Sequence, residues 1–154
     1  MDIQPVVIYE EDARDLAQRL DAFLRASRST LVILIDRSGQ IIAERGYSRK
    51  RDVEELAALA AAAFAATEQV AKLIGEESFS VLFHQGEERN IHLSVVGDTA
   101  LMLTAFDDRT TLGLVRLYAG EAARNLLAIV QRIQSRSGPV GLPDVGERQL
   151  FGDA

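Results

Sequence analysis

The chain has 154 residues, 47% hydrophobic and 26% charged, with a formal net charge of −6 and no cysteine. This size predicts one domain with a single core, and the missing cysteines exclude disulfides and thiolate metal sites. The acidic balance argues against nucleic acid, which rewards clustered basic residues; the densest group here is only Arg45, Arg49, Lys50 and Arg51.

Residues 1–8 read as a short apolar lead-in containing Pro5. The opening MDIQPVVIYEED lacks the basic-then-apolar pattern of a signal peptide. No uninterrupted apolar run approaches the ~18 residues of a bilayer span. Together with the absent cysteines, these features set the expectation of a cytoplasmic protein without a membrane span.

A helix fits Glu10 to Ser27, with Leu16, Leu20, Phe23 and Leu24 on one face and Glu10, Glu11 and Asp12 in the first turn. Leu31 to Asp36 is an uninterrupted apolar strand until its last residue, as expected for a strand covered on both faces. Arg37-Ser38-Gly39-Gln40 supplies a turn, and Ile41 to Arg45 returns as a second strand. Asp52, with Glu55 three residues on, predicts the capped start of a second helix running to about Ile74 and stopped by Gly75. Three strands follow over Phe79–His84, Asn90–Val96 and Thr99–Phe106, with turns at Gly86 and Gly97-Asp98. Asp107, Asp108, Thr110 and Thr111 then offer caps for a last helix carrying Leu112, Val115, Ala119, Ala122, Leu126, Ile129 and Ile133. Beyond Ser135 the composition turns to Ser, Gly and Pro, predicting a flexible tail over 137–154 in which Leu150 and Phe151 could form a docking motif.

The order is helix, two strands, helix, three strands, helix. Such an α+β chain hides a five-stranded antiparallel sheet between layers, the outer two helices on one face and the middle one on the other. One helix covers only part of its face, so apolar surface should stay exposed there and mark an interface.

Catalytic signatures are absent: there is no G-x-S-x-G, no H-E-x-x-H and no phosphate-binding glycine loop. The only histidines, His84 and His92, flank one turn, so a hairpin could bring them near one another; two imidazoles alone make a poor metal site, and a polar face is the expected setting. The carboxylate runs fall at helix starts and turns, where capping explains them. Asp107-Asp108 is the one pair at a strand-to-helix rim. No catalytic residue, metal or cofactor is expected, and the chain does not read as an enzyme.

Eight of the ten residues from Ala57 to Ala66 are alanine. Alanine is the best helix former but buries little area, so this helix suits close approach of a partner surface. Here the residues suggest a family. LVILIDRSGQIIAERG, DVEELAALAAAAFAATEQVAKLIGE, FHQGEE and FDDRTTLGLVRL, preceded by IYEED, occur in an order and spacing that resemble the Roadblock (dynein light chain) family. The likeness is greatest to its bacterial MglB-like branch, known from gliding-motility and cell-polarity systems, and it covers about residues 6–136.

The resemblance implies a three-layer Roadblock fold, profilin/longin-like, over residues 9–136. It further implies a homodimer whose sheets join at the third strand through Phe79, Val81, Leu82 and Phe83, with the middle helices side by side. Those paired helices would seat a small Ras-like GTPase of the MglA type, two subunits to one GTPase, and stimulate its GTP hydrolysis. The candidate contact stripe is Ala58, Ala61, Ala62, Ala65, Gln69 and Lys72, leaving Leu56, Leu59, Ala63, Val70 and Leu73 for the sheet. Arg37, Arg89, Arg109 and Arg116 are the arginines that could approach a phosphoryl group, although MglB-like proteins are thought to act by reshaping the GTPase. A scaffold that tethers partners without stimulating hydrolysis is the alternative.

Overall fold

A computed structural model describes residues 5–136 of the chain. The first helix, α1 (Glu10–Ser27), is followed by β1 (Leu31–Asp36), β2 (Ile41–Gly46) and α2 (Lys50–Leu73). Three strands and a helix complete the domain: β3 (Val81–Gln85), β4 (Asn90–Val96), β5 (Ala100–Phe106) and α3 (Leu112–Arg136). The element order and the five-stranded antiparallel sheet are those expected. The strands lie in the order β2-β1-β5-β4-β3, which leaves β2 and β3 at the edges.

The sheet divides the expected single core into two. On one side α1 and α3 lie across the strands, packing Leu16, Leu20, Leu126, Val130 and Ile133 against Val32, Leu34 and Met102. On the other, α2 alone sets Val53, Ala57, Ala61 and Phe64 against Ile33, Ile35, Leu101 and Leu103. Alternate residues of β1 and β5 serve the two cores, the period-2 geometry of a doubly covered strand. Asp12, buried on α1, is held by Arg132 at 2.7 Å and by Arg136, tying the start of α1 to the end of α3.

Two local expectations are corrected and a third is narrowed. Helix α2 begins at Lys50 with Arg49 as its N-cap and no side-chain capping bond. Asp52 therefore lies in the first turn, where its charge suits the helix dipole. At α3 the cap is Thr111, whose Oγ1 accepts from the Leu114 amide at 3.2 Å. Asp107 instead accepts from the amide and guanidinium of Arg109. Phe79 lies ahead of β3, which starts at Val81. The predicted tail, with Leu150 and Phe151, lies outside the described residues.

Candidate interaction face

The turn between β1 and β2 positions α2. Asp36 Oδ1 accepts from the Ser38 amide at 2.9 Å, the Ser38 hydroxyl at 2.7 Å and the Gln40 amide at 2.9 Å. This Asx-type arrangement brings Gly39, at φ +91°, against the helix: a Cβ there would lie 3.1 Å from Ala58 Cα and 3.5 Å from Ala61 Cβ. Small residues are needed on both sides of that contact. Arg37 clamps the same junction, pairing with Glu68, donating to the Asp98 carbonyl at 3.1 Å and lying 5.4 Å from the Phe64 ring centre.

The rotation of α2 differs from the expected stripe. Its sheet-facing residues are Val53, Ala57, Ala60, Ala61, Phe64 and Ala71, all buried. Ala61, expected on the contact stripe, is among them because the β1–β2 turn and the sheet close over it. Ala58, Ala62, Ala65, Gln69 and Lys72 remain exposed on one continuous stripe. Leu59, Val70 and Leu73, expected to face the sheet, are instead 67%, 51% and 86% exposed. Leu56 and Ala63 lie between, half-buried at the margin.

That margin borders a groove. Leu56, Leu59, Ala60 and Ala63 of α2 face Leu82 and His84 of β3 and Ile91 and Leu93 of β4 across a cavity of about 300 Å³. Val81, Leu82 and Phe83 are half-buried on the edge strand, and β3 pairs only with β4 among the described strands. Exposed leucines, an apolar groove and an unpaired strand edge thus form one surface. The sequence signal missed was the bulk of Val53 and Phe64, at helical spacing with Ala57, Ala60 and Ala61, which sets the phase of an otherwise uniform alanine helix.

The arginines considered for chemistry have local partners or open positions. Arg37 is engaged in the turn described above. Arg109 donates to Asp107 at 2.8 Å, and this ion pair holds the Asp107 carboxyl below its ordinary range. Arg116 and Arg89 are exposed. No group of three metal-ligating side chains occurs among the described residues. The two histidines do not meet: His84 pairs with Ile91 and His92 with Phe83 in register, so they point to opposite faces. His92 is not on a polar face; it is 1% exposed toward α3, and both ring nitrogens lack a partner among the described residues. Burial, and then the charge of Arg116, push its pKa down.

Arg51–Leu73 is long and apolar enough to cross a membrane by length and composition. Its packing on the sheet through Val53 and Phe64 identifies it instead as a helix of this domain.

The domain is therefore a three-layer α/β/α unit with one thinly covered face. The Roadblock/LC7 domain model matches residues 15–106, so the chain belongs to the Roadblock/LC7 family. Among solved structures it is similar to Myxococcus xanthus MglB, at 35% identity and a TM-score of 0.75, over 82% of this chain and 96% of that one. It is also similar to the gliding protein MglB of Thermus thermophilus, at 30% identity and a TM-score of 0.78, over 85% and 99%. A third structure, described as MglB with tetrameric arrangement, shares 30% identity with a TM-score of 0.80 over 86% and 99%. A search of curated proteins gives no match.

Proposed function

We propose that the protein is a homodimeric regulator that binds a small Ras-like GTPase of the MglA type and stimulates its GTP hydrolysis, two subunits serving one GTPase in control of cell polarity and motility. The observation that carries this reading is the surface of α2: exposed Ala58, Ala62 and Ala65 beside exposed Leu59, Val70 and Leu73, on a chain similar to MglB. The leucines and the groove beside β3 supply apolar area for the second copy, with Val81, Leu82 and Phe83 on the strand edge that pairs with its twin. The alanine stripe, extended by Gln69 and Lys72, supplies the flat face to which the GTPase binds. Ala61 supports the platform from beneath.

The regulator contributes no catalytic group. It favours the GTPase conformation whose own residues are aligned for hydrolysis, which requires only that it bind that conformation more tightly than the others. The reading places the protein in the cytoplasm, with no cofactor. Phosphate release by an MglA-like GTPase, measured with and without this protein, tests it. Acceleration saturating at two subunits per GTPase is expected; binding without acceleration would leave a tethering scaffold instead.

A further inference from the structure

The end of the domain where α1 stops carries a second feature, apart from the α2 face. Arg25, Arg28 and Arg109 line an open concavity of about 610 Å³ with Tyr47, a residue that is 91% exposed. Its floor is fixed. Thr30 donates its amide to the Ala105 carbonyl at 2.9 Å and its hydroxyl to the same oxygen at 3.0 Å, while its own carbonyl accepts from the Tyr47 amide at 3.0 Å. Ser29 is held by the Ser27 hydroxyl at 2.9 Å.

The charges on this rim are unequally answered. Asp107 takes the Arg109 fork, and Asp21 accepts from Nε and Nη2 of Arg45, at 2.8 and 2.9 Å. Arg25, one helical turn beyond Asp21, feels that carboxylate only through space, and neither Arg25 nor Arg28 has a carboxylate hydrogen-bonded to it among the described residues. Arg28 also sits at φ 56°, the only non-glycine described residue at positive φ. Helices commonly end on glycine at such a position because a side chain is strained there. A long cation stands where glycine would relieve the backbone, and it shares the concavity with Arg25, whose guanidinium makes no carboxylate hydrogen bond among the described residues.

We propose that this concavity is a docking site for a short acidic segment of a partner protein, whose carboxylates are taken by the forks of Arg25 and Arg28 beside the face of Tyr47. Arginine forks match carboxylates in geometry, and exposed tyrosine with arginine is the composition of binding hot spots. A membrane plane or a nucleic acid would bring its extended charge against Asp107 and Asp108, which stand next to Arg109. A narrow run of carboxylates avoids them. The site is independent of the GTPase reading.

A fluorescein-labelled octaglutamate peptide, titrated by anisotropy at low salt, tests the proposal. The wild-type protein should bind it, and added salt should weaken the binding. Arg28→Gly and Arg25→Gln should each weaken it about tenfold, as loss of one charge-assisted contact implies, while Arg89→Gln, outside the concavity, should not. Arg28→Gly separates binding from folding, because glycine suits φ 56° and should leave the unfolding temperature unchanged or raised. Undiminished peptide binding by Arg28→Gly would overturn the proposal. So would absence of binding at low salt, or equally tight binding of phosphatidylserine vesicles or single-stranded DNA.

Discussion

The two faces of the sheet are built on different scales. The α1/α3 side is closed by two helices with leucine, isoleucine and valine packed to full burial, and its ends are tied by Asp12 with Arg132 and Arg136. The α2 side has one helix, buried largely through alanine, and leaves Leu59 and Leu73 in the open. Large side chains gain enough from burial to hold a subunit together, whereas alanine gains little and permits close approach. The first face therefore carries the larger share of the subunit's stability, and the second is the one we propose for association.

The most forceful way to separate them is to truncate a leucine on each. Leu126→Ala, fully buried, should cost about 3–5 kcal/mol in denaturant unfolding through the cavity it leaves. Leu59→Ala should leave the subunit folded and appear instead as weaker self-association by sedimentation. If Leu59→Ala proved as destabilising to the subunit as Leu126→Ala, the division of labour would fail.

The turn that seats α2 offers a sharper cut. Gly39→Ala adds a Cβ 3.1 Å from the Ala58 backbone at φ +91°, and should cost about 1–3 kcal/mol through strain and displacement of the helix. Hydrogen exchange should then quicken in α2 while α1 and α3 stay protected.

A smaller effect belongs to the closed face. His92 has a lowered pKa in the fold, from burial first and Arg116 second, so the unfolded chain takes up its proton more readily. Stability should hold above the unfolded value of about 6.5 and decline as pH falls below it toward the folded value. Thermal unfolding of wild type and His92→Gln at pH 7 and pH 5 checks this; the variant should lose less on acidification.

Much of the fold was legible because bulky residues carry a period. Leu16, Leu20 and Phe23 on α1 mark a helix with one buried face, and the unbroken apolar run of β1 marks a strand covered on both faces. Strand edges were less legible, since Phe79 continues the apolar pattern although pairing starts only at Val81. The rotation of α2 is not legible in the sequence, for a physical reason. With alanine on every side, a three- and four-residue stripe can be drawn through almost any phase, and only Val53 and Phe64 distinguish buried from open. Ala61 fell on the wrong side of that line, and Leu59, Val70 and Leu73 with it. The setting of the histidines is not legible from sequence, because the cross-strand register, not their closeness in the chain, decides which face each takes. Arg28 gave no sign of its strained backbone, which only three-dimensional geometry shows.

The most direct test of α2 as the partner-binding face is Ala65→Arg, assayed for binding to an MglA-like GTPase in its GTP form while the mass of the regulator is followed in the same samples. An unchanged assembly mass with GTPase binding lost is the predicted result, since a bulky charge would intrude on the exposed small-residue stripe without reaching the core. Undiminished GTPase affinity in that variant would contradict the account.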